Sequence, residues 1–458
     1  MLIIFIVVYL LLTIIIGYVA SRKVKTSSDF LVAGKKLPFY LATATVFATW
    51  FGSETLLGAS SQFSEKGFLG IIEDPFGASL CLVLIGLFFA KPLYRMNLIT
   101  FGDFYRVKFN RQVEIVASIL LIVSYFGWIA GQMVALGVLF NVVAGIPVNY
   151  GIIIGTAVVV FYTFFGGMWS VSITDFFQMI VIIAGLVIVT IEITSKAQFS
   201  QVLEKIPAEH FQFSPTHNTI SSWLNYFAMW MTIGLGSIAG QDVFQRVMAS
   251  KSEKVAVSSS LFSSLLYISI AFLPIIIVAY GNFLYPGISA SDSQLTIPLI
   301  VMKHSGLFVN VLFFGALISA IMSTASGAIL APSAILSENI IKPLFKDLSD
   351  KKFLMVSRLS VLFVSLVSVF FAFSKGNIYE LVGQSSAISL VSLFIPLVAG
   401  LFLKGTSPVS ALYSILFGIS GWSFSTLADT SVNPLIFGLS ASIIGLLVGM
   451  LQKKISKY

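Results

Sequence analysis

The sequence predicts an all-α polytopic membrane protein with about thirteen transmembrane helices. Of its 458 residues, 57% are hydrophobic and only 10% are charged, whereas a soluble globular chain carries about a quarter charged residues. Long apolar runs recur along the chain, and the run at 361–373 contains no charge at all. Runs of about 20 apolar residues match the thickness of the hydrocarbon layer of a bilayer. These observations place the chain in a membrane.

The apolar runs divide into thirteen predicted spans, separated by polar segments or by turn-forming residues such as Gly145-Ile146-Pro147. The first run is not followed by a small-residue cleavage site, so we interpret it as a retained helix and not as a signal peptide. The predicted spans are 2–20, 41–63, 68–94, 113–144, 148–166, 172–194, 220–248, 256–280, 305–337, 354–374, 379–403, 407–427 and 432–451.

Basic residues predict the orientation of the chain, because lysine and arginine collect in the cytoplasmic loops of membrane proteins. With the N-terminus outside and the C-terminus in the cytoplasm of a bacterial-type inner membrane, most of the 27 basic residues, Arg246 among them, fall in cytoplasmic loops. The net charge of +8 is then a consequence of topology and does not indicate a nucleic-acid partner. The exceptions, which would lie outside, are Lys66, Lys196, Lys205, Lys303 and Lys375.

Several classes of protein are excluded by what the spans lack. The three histidines, His210, His217 and His304, all fall in polar stretches, which leaves no intramembrane histidine for haem, for a zinc protease or for a proton relay. No GxSxG-type nucleophile lies within a span, so we expect no enzyme. With no polar domain at either end, we expect a single transmembrane domain over 1–458 and no obligatory protein partner.

Two predicted spans carry glycine interruptions beside polar residues. Span 2 reads WFGSETLLG around Gly52, and span 7 reads GLGSIAGQD, with glycines at 234, 236 and 240. A broken backbone at this depth is tolerated where it lines a cavity, and breaks at matching positions in two halves are typical of transporters with inverted repeats. Spans 2–6 (41–194) would then repeat as spans 7–11 (219–404), flanked by a peripheral segment at 1–40 and two C-terminal helices at 405–458. Alternatively, the glycines only allow close helix packing.

Span 9 has four hydroxyl side chains within a short stretch, ALISAIMSTASG. Such hydroxyls can ligate a hard cation, which prefers oxygen ligands, although a lone serine in a span often bonds only to the preceding turn. Both interpretations stay open for these residues, which are Ser319, Ser323, Thr324 and Ser326.

The chain resembles the sodium:solute symporter family over nearly its whole length. The segments that carry the resemblance, in family order, are WFGSETLLG, YTFFGGMWSVSITDFFQ, GQDVFQRVMAS and AIMSTASG. GLFFAKP, FQRV and FLKGT are most similar to the choline-transporter branch. The resemblance implies a leucine-transporter-type core of two inverted five-helix repeats, and it implies Na⁺ as the coupling ion.

The resemblance also implies residues for sodium. Asp175 and Ser326 match a second sodium site found in some members, but Gly327 stands where a further hydroxyl is usual. The implied ligands of the shared sodium site are the backbone carbonyls of Ala48, Phe51 and Ala320 and the hydroxyls of Ser323 and Thr324.

Acids and aromatic residues near the breaks suggest the chemistry of the solute. Intramembrane acids are functional by default, and carboxylates with aromatic rings suit an amine, a quaternary ammonium or a zwitterion such as an amino acid. Trp50 and Trp128 match aromatic positions of the choline branch, whereas Gly240 and Val382 replace two others. For Glu54 the alternative is a structural hydrogen bond across the helix break. The candidate solute-binding residues are Trp50, Ser53, Glu54, Asp74, Trp128, Gln132, Gln241 and Gln384.

The sequence therefore predicts a sodium-coupled symporter that imports a small polar solute by alternating access, with the lipid bilayer, sodium and the solute as its partners. A sugar or a carboxylate is the alternative solute. A monocarboxylate is disfavoured, because we expect no lysine or arginine of a span to face the acids. A sodium leak pathway or a membrane sensor is the remaining alternative, although a sensor normally carries a signalling domain.

Overall fold

The computed structural model describes residues 1–286, 293–374, 377–428 and 430–455, with side chains up to Gln452. Within these ranges the regular structure is helical, apart from an isolated bridge between Leu37 and Ser250. Lys375, expected on the outer side, lies outside the described residues. The first ten α-helices are α1 Leu2–Ser21, α2 Ser27–Val32, α3 Phe39–Trp50, α4 Ser60–Lys66, α5 Ala78–Leu84, α6 Ala90–Arg95, α7 Phe101–Lys108, α8 Arg111–Ala144, α9 Val148–Thr194 and α10 Phe199–Lys205.

The second half of the chain repeats this pattern of long helices joined by short ones. Its helices are α11 Ile220–Gly236, α12 Gln241–Ala249, α13 Glu253–Leu284, α14 Thr296–His304, α15 Leu307–Ile335, α16 Asp350–Ala372, α17 Ile378–Ser389, α18 Ile395–Phe402, α19 Pro408–Leu427 and α20 Pro434–Ile455. Five π-helical segments extend or join these helices, at Glu54–Ala59, Ile72–Gly77, Ile85–Phe89, Leu336–Ile341 and Leu390–Phe394.

In the described part of the chain, nine helical stretches are long and apolar enough to cross a membrane, so the count of thirteen spans stays a prediction. The difference arises where predicted spans fuse, where span 7 divides, and at α19, which is long enough but not among the nine. Helix α9 covers predicted spans 5 and 6 and kinks at Gly167, whose φ of 46° favours glycine. Predicted span 7 is divided between α11 and α12. The predicted turn between α8 and α9 is present, with Gly145 at φ 66°.

Burial separates central helices from peripheral ones. Helix α15 is buried without interruption from Phe313 to Ile335, as expected for a helix surrounded by protein. Helix α1 buries only one stripe, and the rest of its surface is apolar and exposed, which suits contact with lipid. Gly17 on that stripe lets α1 approach α9, because a Cβ there would stand 2.5 Å from the Cβ of Tyr162.

The end of the bundle that is predicted to face the cytoplasm is closed by polar contacts. The backbone of Leu37 pairs with Ala249 and Lys251, at N···O distances of 3.0 and 2.9 Å. Arg95 Nε donates to Glu253 at 2.7 Å, which joins α6 to α13. These contacts leave the cavities described below at the centre and at the opposite end.

Candidate functional site

The first helix interruption lies where span 2 was predicted to break. Helix α3 ends at Trp50, and Phe51 leaves the helical region with φ −87° and ψ 74°. The helix resumes as the π-helical segment from Glu54. Gly52 permits close packing at the break, because a Cβ there would stand 2.5 Å from Glu54 Oε2 and 2.7 Å from Thr324 Oγ1. The break therefore meets the hydroxyl-rich part of α15.

The second interruption separates α11 from α12. A short 3₁₀ segment, Ser237–Ala239, leads into Gly240, whose backbone is extended with φ −73° and ψ 133°. A Cβ on Gly240 would stand 2.7 Å from Asp242 Oδ1, so only glycine fits without displacement. The structure thus has one break in predicted span 2 and one in predicted span 7.

The other two glycines of span 7 have different surroundings. A Cβ on Gly236 would stand 2.5 Å from the carbonyl oxygen of Ser386, so this glycine allows α11 to approach α17. A Cβ on Gly234 would stand 3.5 Å from the nearest atom, the carbonyl oxygen of Gly77, which is ordinary contact. Gly236 therefore allows close helix packing, which was the alternative interpretation of these glycines. Gly240 instead lies at the helix break.

Asp242 joins the two breaks, and sequence reasoning did not select it. Trp50 Nε1 donates to Asp242 Oδ2 at 2.7 Å, and the hydroxyl of Tyr125 donates to the other carboxylate oxygen. The Asp242 amide donates back to the Tyr125 hydroxyl at 2.9 Å. The sequence signal that could have identified Asp242 is its position two residues after Gly240, at the second helix break. No comparable signal marks Tyr125, which follows apolar residues in a long helix.

Four of the predicted solute-site residues form one hydrogen-bonded group. Glu54 accepts from Trp128 Nε1 at 3.1 Å and from Gln132 Nε2 at 2.7 Å. Gln132 Oε1 in turn accepts from the backbone and hydroxyl of Ser53, at 3.1 and 2.9 Å. This group connects the break to α8. Glu54 therefore bonds to α8 beside the break and also borders the central cavity.

Asp74 lies opposite Glu54 and is held by hydroxyl groups. Its carboxylate accepts from Thr55 Oγ1 at 2.7 Å and from the Tyr267 hydroxyl at 2.5 Å. The Tyr267 hydroxyl is also 3.2 Å from the carbonyl oxygen of Trp50. Tyr267 was missed, because a lone tyrosine in the apolar helix α13 has no distinguishing sequence pattern.

These groups enclose a central cavity of about 40 Å³. A buried water needs roughly 10–15 Å³ by this kind of measure, so the cavity has room for about three waters. Three carboxylates border it, and none of the described residues that line it is lysine or arginine. The lining residues are Trp50, Glu54, Asp74, Ala78, Trp128, Ile233, Ser237, Asp242, Tyr267, Val382, Ser385 and Ser386.

Four predicted solute-site residues do not line this cavity. Ser53 and Gln132 belong to the hydrogen-bonded group of Glu54, and the other two lie elsewhere. Gln241 is buried, and its Oε1 accepts from the backbone N–H of Phe101 at 2.7 Å, at the closed end of the bundle. Gln384 lies on the opposite face of α17 and lines a second cavity of about 350 Å³. Helix rotation explains both results, because neighbouring residues on a helix point in different directions.

Arg246 corrects one expectation, because the sequence placed it in a cytoplasmic loop. In the structure it is 1% exposed, and its guanidinium donates to the carbonyl oxygens of Thr45 and Asp242 at 3.2 and 2.8 Å. It also donates to Thr49 Oγ1 at 2.6 Å. The guanidinium thus contacts α3 and α12 from behind and does not line the cavity.

The predicted sodium ligands lie where α3 meets α15. Thr324 Oγ1 donates to the carbonyl oxygen of Ala48 at 3.2 Å, and Ala320 lies one turn earlier on α15. Ser323 Oγ donates to Asp175 Oδ1 at 2.7 Å, and Thr45 Oγ1 donates to Asp175 Oδ2 at 2.5 Å. Hydroxyl, carbonyl and carboxylate oxygens therefore meet at this junction, which suits a hard cation.

The other two predicted hydroxyls of α15 bond to backbone carbonyls of their own helix. Ser319 donates to the carbonyl oxygen of Gly315 at 2.6 Å and also bonds to the Tyr9 hydroxyl of α1, and Ser326 donates to the carbonyl oxygen of Ser323 at 2.9 Å. A Cβ on Gly327 would stand 2.4 Å from Arg246 Nη2. Over the described part of the chain, no group of three or more histidine, cysteine or acidic residues could hold a metal ion.

A comparison with known families and proteins adds to this geometry. The model of the sodium:solute symporter family matches residues 30–418. The chain is 27% identical to human high affinity choline transporter 1 over 438 residues, covering 90% of this chain and 75% of that protein. It is 28% identical to sodium/proline symporter 2 of Staphylococcus saprophyticus, covering 99% of this chain and 92% of that protein.

Among solved structures, the fold is similar to that of a Na⁺-coupled sialic acid symporter in a substrate-bound outward-open state. The TM-score is 0.85 at 19% sequence identity, and the match covers 99% of this chain and 97% of that one. At this identity the likeness concerns the fold, which is that of leucine-transporter-type symporters.

Proposed function

Because the chain belongs to the sodium:solute symporter family, we propose that it imports a small solute with an amine or quaternary ammonium group, together with sodium. One observation carries the choice of solute class. Glu54, Asp74 and Asp242 border the central cavity, and no described lysine or arginine lines it. A buried carboxylate is costly without a compensating charge. A cationic group on the solute supplies that charge.

Aromatic residues complete the proposed solute site. Trp50, Trp128 and Tyr267 border the same cavity as the carboxylates. Aromatic faces attract ammonium groups, and the attraction strengthens when water is excluded. The helix breaks of span 2 and span 7 border this site, and movement at the two breaks would open and close it, as alternating access requires.

The proposed sodium site couples the ion to this cavity through α3. Its ligands are the carbonyls of Ala48, Phe51 and Ala320 and the hydroxyls of Ser323 and Thr324. Sodium would bind between the end of α3 and α15. Trp50, which lies between Ala48 and Phe51 in the chain, donates a hydrogen bond to Asp242 at 2.7 Å. An ion that stabilises this end of α3 also stabilises the solute site, and the coupling acts equally in both directions.

We propose one sodium per transport cycle. A second site at Asp175 and Ser326 would need further oxygens beside α15, but Ser326 bonds to its own helix and Gly327 lies against the Arg246 guanidinium. One charge moving through 100 mV releases about 2.3 kcal/mol, and a tenfold sodium gradient adds about 1.4 kcal/mol. Together they support accumulation of the solute by roughly several hundred-fold.

We also propose the finer architecture that the sequence predicts. The two inverted repeats would occupy 41–194 and 219–404, with 1–40 as the peripheral segment and 405–458 as two C-terminal helices. The N-terminus would lie outside and the C-terminus in the cytoplasm. The interruptions near Gly52 and Gly240 support this arrangement, because each lies near the start of one repeat.

Uptake into proteoliposomes tests the proposed function. Radiolabelled amines, betaines, amino acids, sugars and carboxylates would be screened with an inward sodium gradient and with potassium in place of sodium. We expect sodium-dependent uptake of a compound with an amine or quaternary ammonium group. Uptake of a sugar or a carboxylate alone would refute the solute class and leave sodium symport intact.

The remaining alternative is a sodium leak pathway. Electrical recording on the same proteoliposomes distinguishes it, because a leak carries sodium current without any solute. A current that no solute of the screen changes would refute symport.

A further inference from the structure

A second cavity of about 350 Å³ lies on the other face of α17 from the central cavity. Val382, Ser385 and Ser386 of α17 face the central cavity, whereas Tyr379, Glu380 and others face this second one. Lys66, a residue predicted outside, also lines it. We call it the vestibule, and its lining residues are Gln62, Lys66, Gly70, Glu73, Met229, Thr232, Tyr379, Glu380, Gly383, Gln384, Ala387, Trp422, Asn433 and Leu435.

Two carboxylates that are adjacent in the chain line the two different cavities. Asp74 has an extended backbone, with φ −142° and ψ 124°, inside an otherwise helical segment. Successive side chains of an extended backbone point to opposite sides. Asp74 accordingly lines the central cavity, while Glu73 lines the vestibule. Carboxylates of two consecutive residues therefore border the two cavities.

The Glu73 carboxylate is half-buried and weakly bonded. Its contact with a side chain is the Thr232 hydroxyl at 3.4 Å, a long distance for a hydrogen bond. Gly383 leaves space on the other side, because a Cβ there would still be 3.4 Å from Glu73 Oε2. Among the residues that the structure describes, Lys66 and Thr232 interact with this carboxylate, and room remains for it to accept a hydrogen bond from a ligand.

The rest of the vestibule lining suits a ligand with a positive charge. Two carboxylates, Glu73 and Glu380, face one ammonium, Lys66, so the formal charge of the lining is negative. Tyr379 and Trp422 supply aromatic surface, which attracts an ammonium group. The combination is a carboxylate, aromatic rings and enough volume for a small organic cation.

We propose that the vestibule is an outer binding site in which the amine or quaternary ammonium group of the incoming solute contacts Glu73 before it reaches the central cavity. This inference rests on the proposed function for the identity of the solute. The volumes support it, because the vestibule, at about 350 Å³, is much larger than the central cavity, at about 40 Å³ by the same measure, and so offers more room to a solute.

Cysteine labelling tests the site without requiring transport. The chain has one cysteine, Cys81, which is fully buried. Gln384→Cys introduces a thiol in the vestibule, and its labelling rate is measured with two methanethiosulfonate reagents, one with a quaternary ammonium and one with a sulfonate. We expect the cationic reagent to react about tenfold faster than the anionic one. Adding Glu73→Gln should reduce this ratio by about threefold or more.

Matched controls separate the local charge from general effects. Gln212→Cys places a thiol at an exposed position outside the vestibule lining, and Glu73→Gln should leave its ratio of labelling rates unchanged. Glu73→Gln keeps the size of the side chain, and thermal unfolding checks that each variant is folded. If Glu73→Gln does not change the ratio of cationic to anionic labelling rates in the Gln384→Cys variant, the proposal is overturned.

Protection by tetramethylammonium then distinguishes this site from the central one. We expect tetramethylammonium to slow labelling of the Gln384→Cys variant, to do so also with Glu54→Gln, and to fail with Glu73→Gln. If protection is lost with Glu54→Gln but kept with Glu73→Gln, tetramethylammonium binds in the central cavity. That result would overturn the vestibule site and leave the proposed function intact. Glu73-dependent protection in a protein that transports no amine would support the vestibule site and refute the proposed function.

Discussion

Removing the Thr324 hydroxyl is the sharpest test of the proposed sodium site. Thr324 Oγ1 lies 3.2 Å from the carbonyl oxygen of Ala48, at the end of the broken helix α3. Thr324→Val removes the hydroxyl and retains the branched shape that packs beside Gly52. Thr324→Ser is the matched control, because it retains the hydroxyl and removes only the methyl group.

The structure sets the size of the expected effect. The hydroxyl would be one of five oxygen ligands, and losing a hydrogen bond or polar contact of this kind costs about 1–1.5 kcal/mol. A loss of 1.4 kcal/mol corresponds to a factor of about ten. We therefore expect Thr324→Val to raise the sodium concentration for half-maximal uptake about tenfold, and Thr324→Ser to raise it by about threefold at most.

The assay is initial uptake into proteoliposomes as a function of external sodium, at a fixed membrane potential and saturating solute. Thermal unfolding should be followed in parallel, because Thr324→Val leaves the Ala48 carbonyl without this partner. Sodium dependence that is the same for the wild type, Thr324→Val and Ser323→Ala would refute the assignment of the ion to the junction of α3 and α15. A defect that is equal in Thr324→Ser and Thr324→Val would assign the effect to packing.

Three further predictions concern the solute site and the helix breaks. Glu54→Gln should impair uptake at least about tenfold while expression stays normal, since a neutral amide no longer compensates a cationic solute; wild-type transport would make Glu54 structural. Trp50→Phe removes the 2.7 Å bond to Asp242 and should raise the solute KM about tenfold, with thermal unfolding followed in parallel because the buried Asp242 loses a partner; an unchanged KM would disprove this role. Gly236→Ala should lower thermal stability and uptake, because its Cβ would stand 2.5 Å from a backbone carbonyl, whereas Gly234→Ala has ordinary contacts at 3.5 Å and should resemble wild type. Equal behaviour of the two glycine variants would contradict the packing argument.

Local sequence patterns were sufficient for the fold class, the positions of the breaks and the hydroxyl-rich segment of α15. Each depends on residues that are near one another in the chain. A glycine beside polar residues within an apolar run weakens the helix wherever it occurs, so Gly52 and Gly240 could be selected without knowing their neighbours. The same holds for Glu54, because an acid at that depth needs partners in any arrangement of helices.

Other parts of the candidate site depend on contacts between distant segments. Tyr267 and Tyr125 matter because packing brings their hydroxyls to Asp74 and Asp242, and nothing in their own helices indicates this. Gln241 resembled a site residue because it follows Gly240, but the rotation of α12 directs it to Phe101. Arg246 resembled a loop residue because it is charged, yet backbone carbonyls of α3 and α12 satisfy it in the interior.

The sequence by itself determined that this chain is a helical membrane protein with two breaks beside acids, because hydrophobicity and backbone flexibility are properties of consecutive residues. Only the tertiary structure decided which side chains surround the central cavity, and that the adjacent carboxylates of Glu73 and Asp74 line different cavities. The physical reason is that helix rotation and packing are set by the whole set of contacts between helices, whereas the spacing of residues along one helix leaves them undetermined.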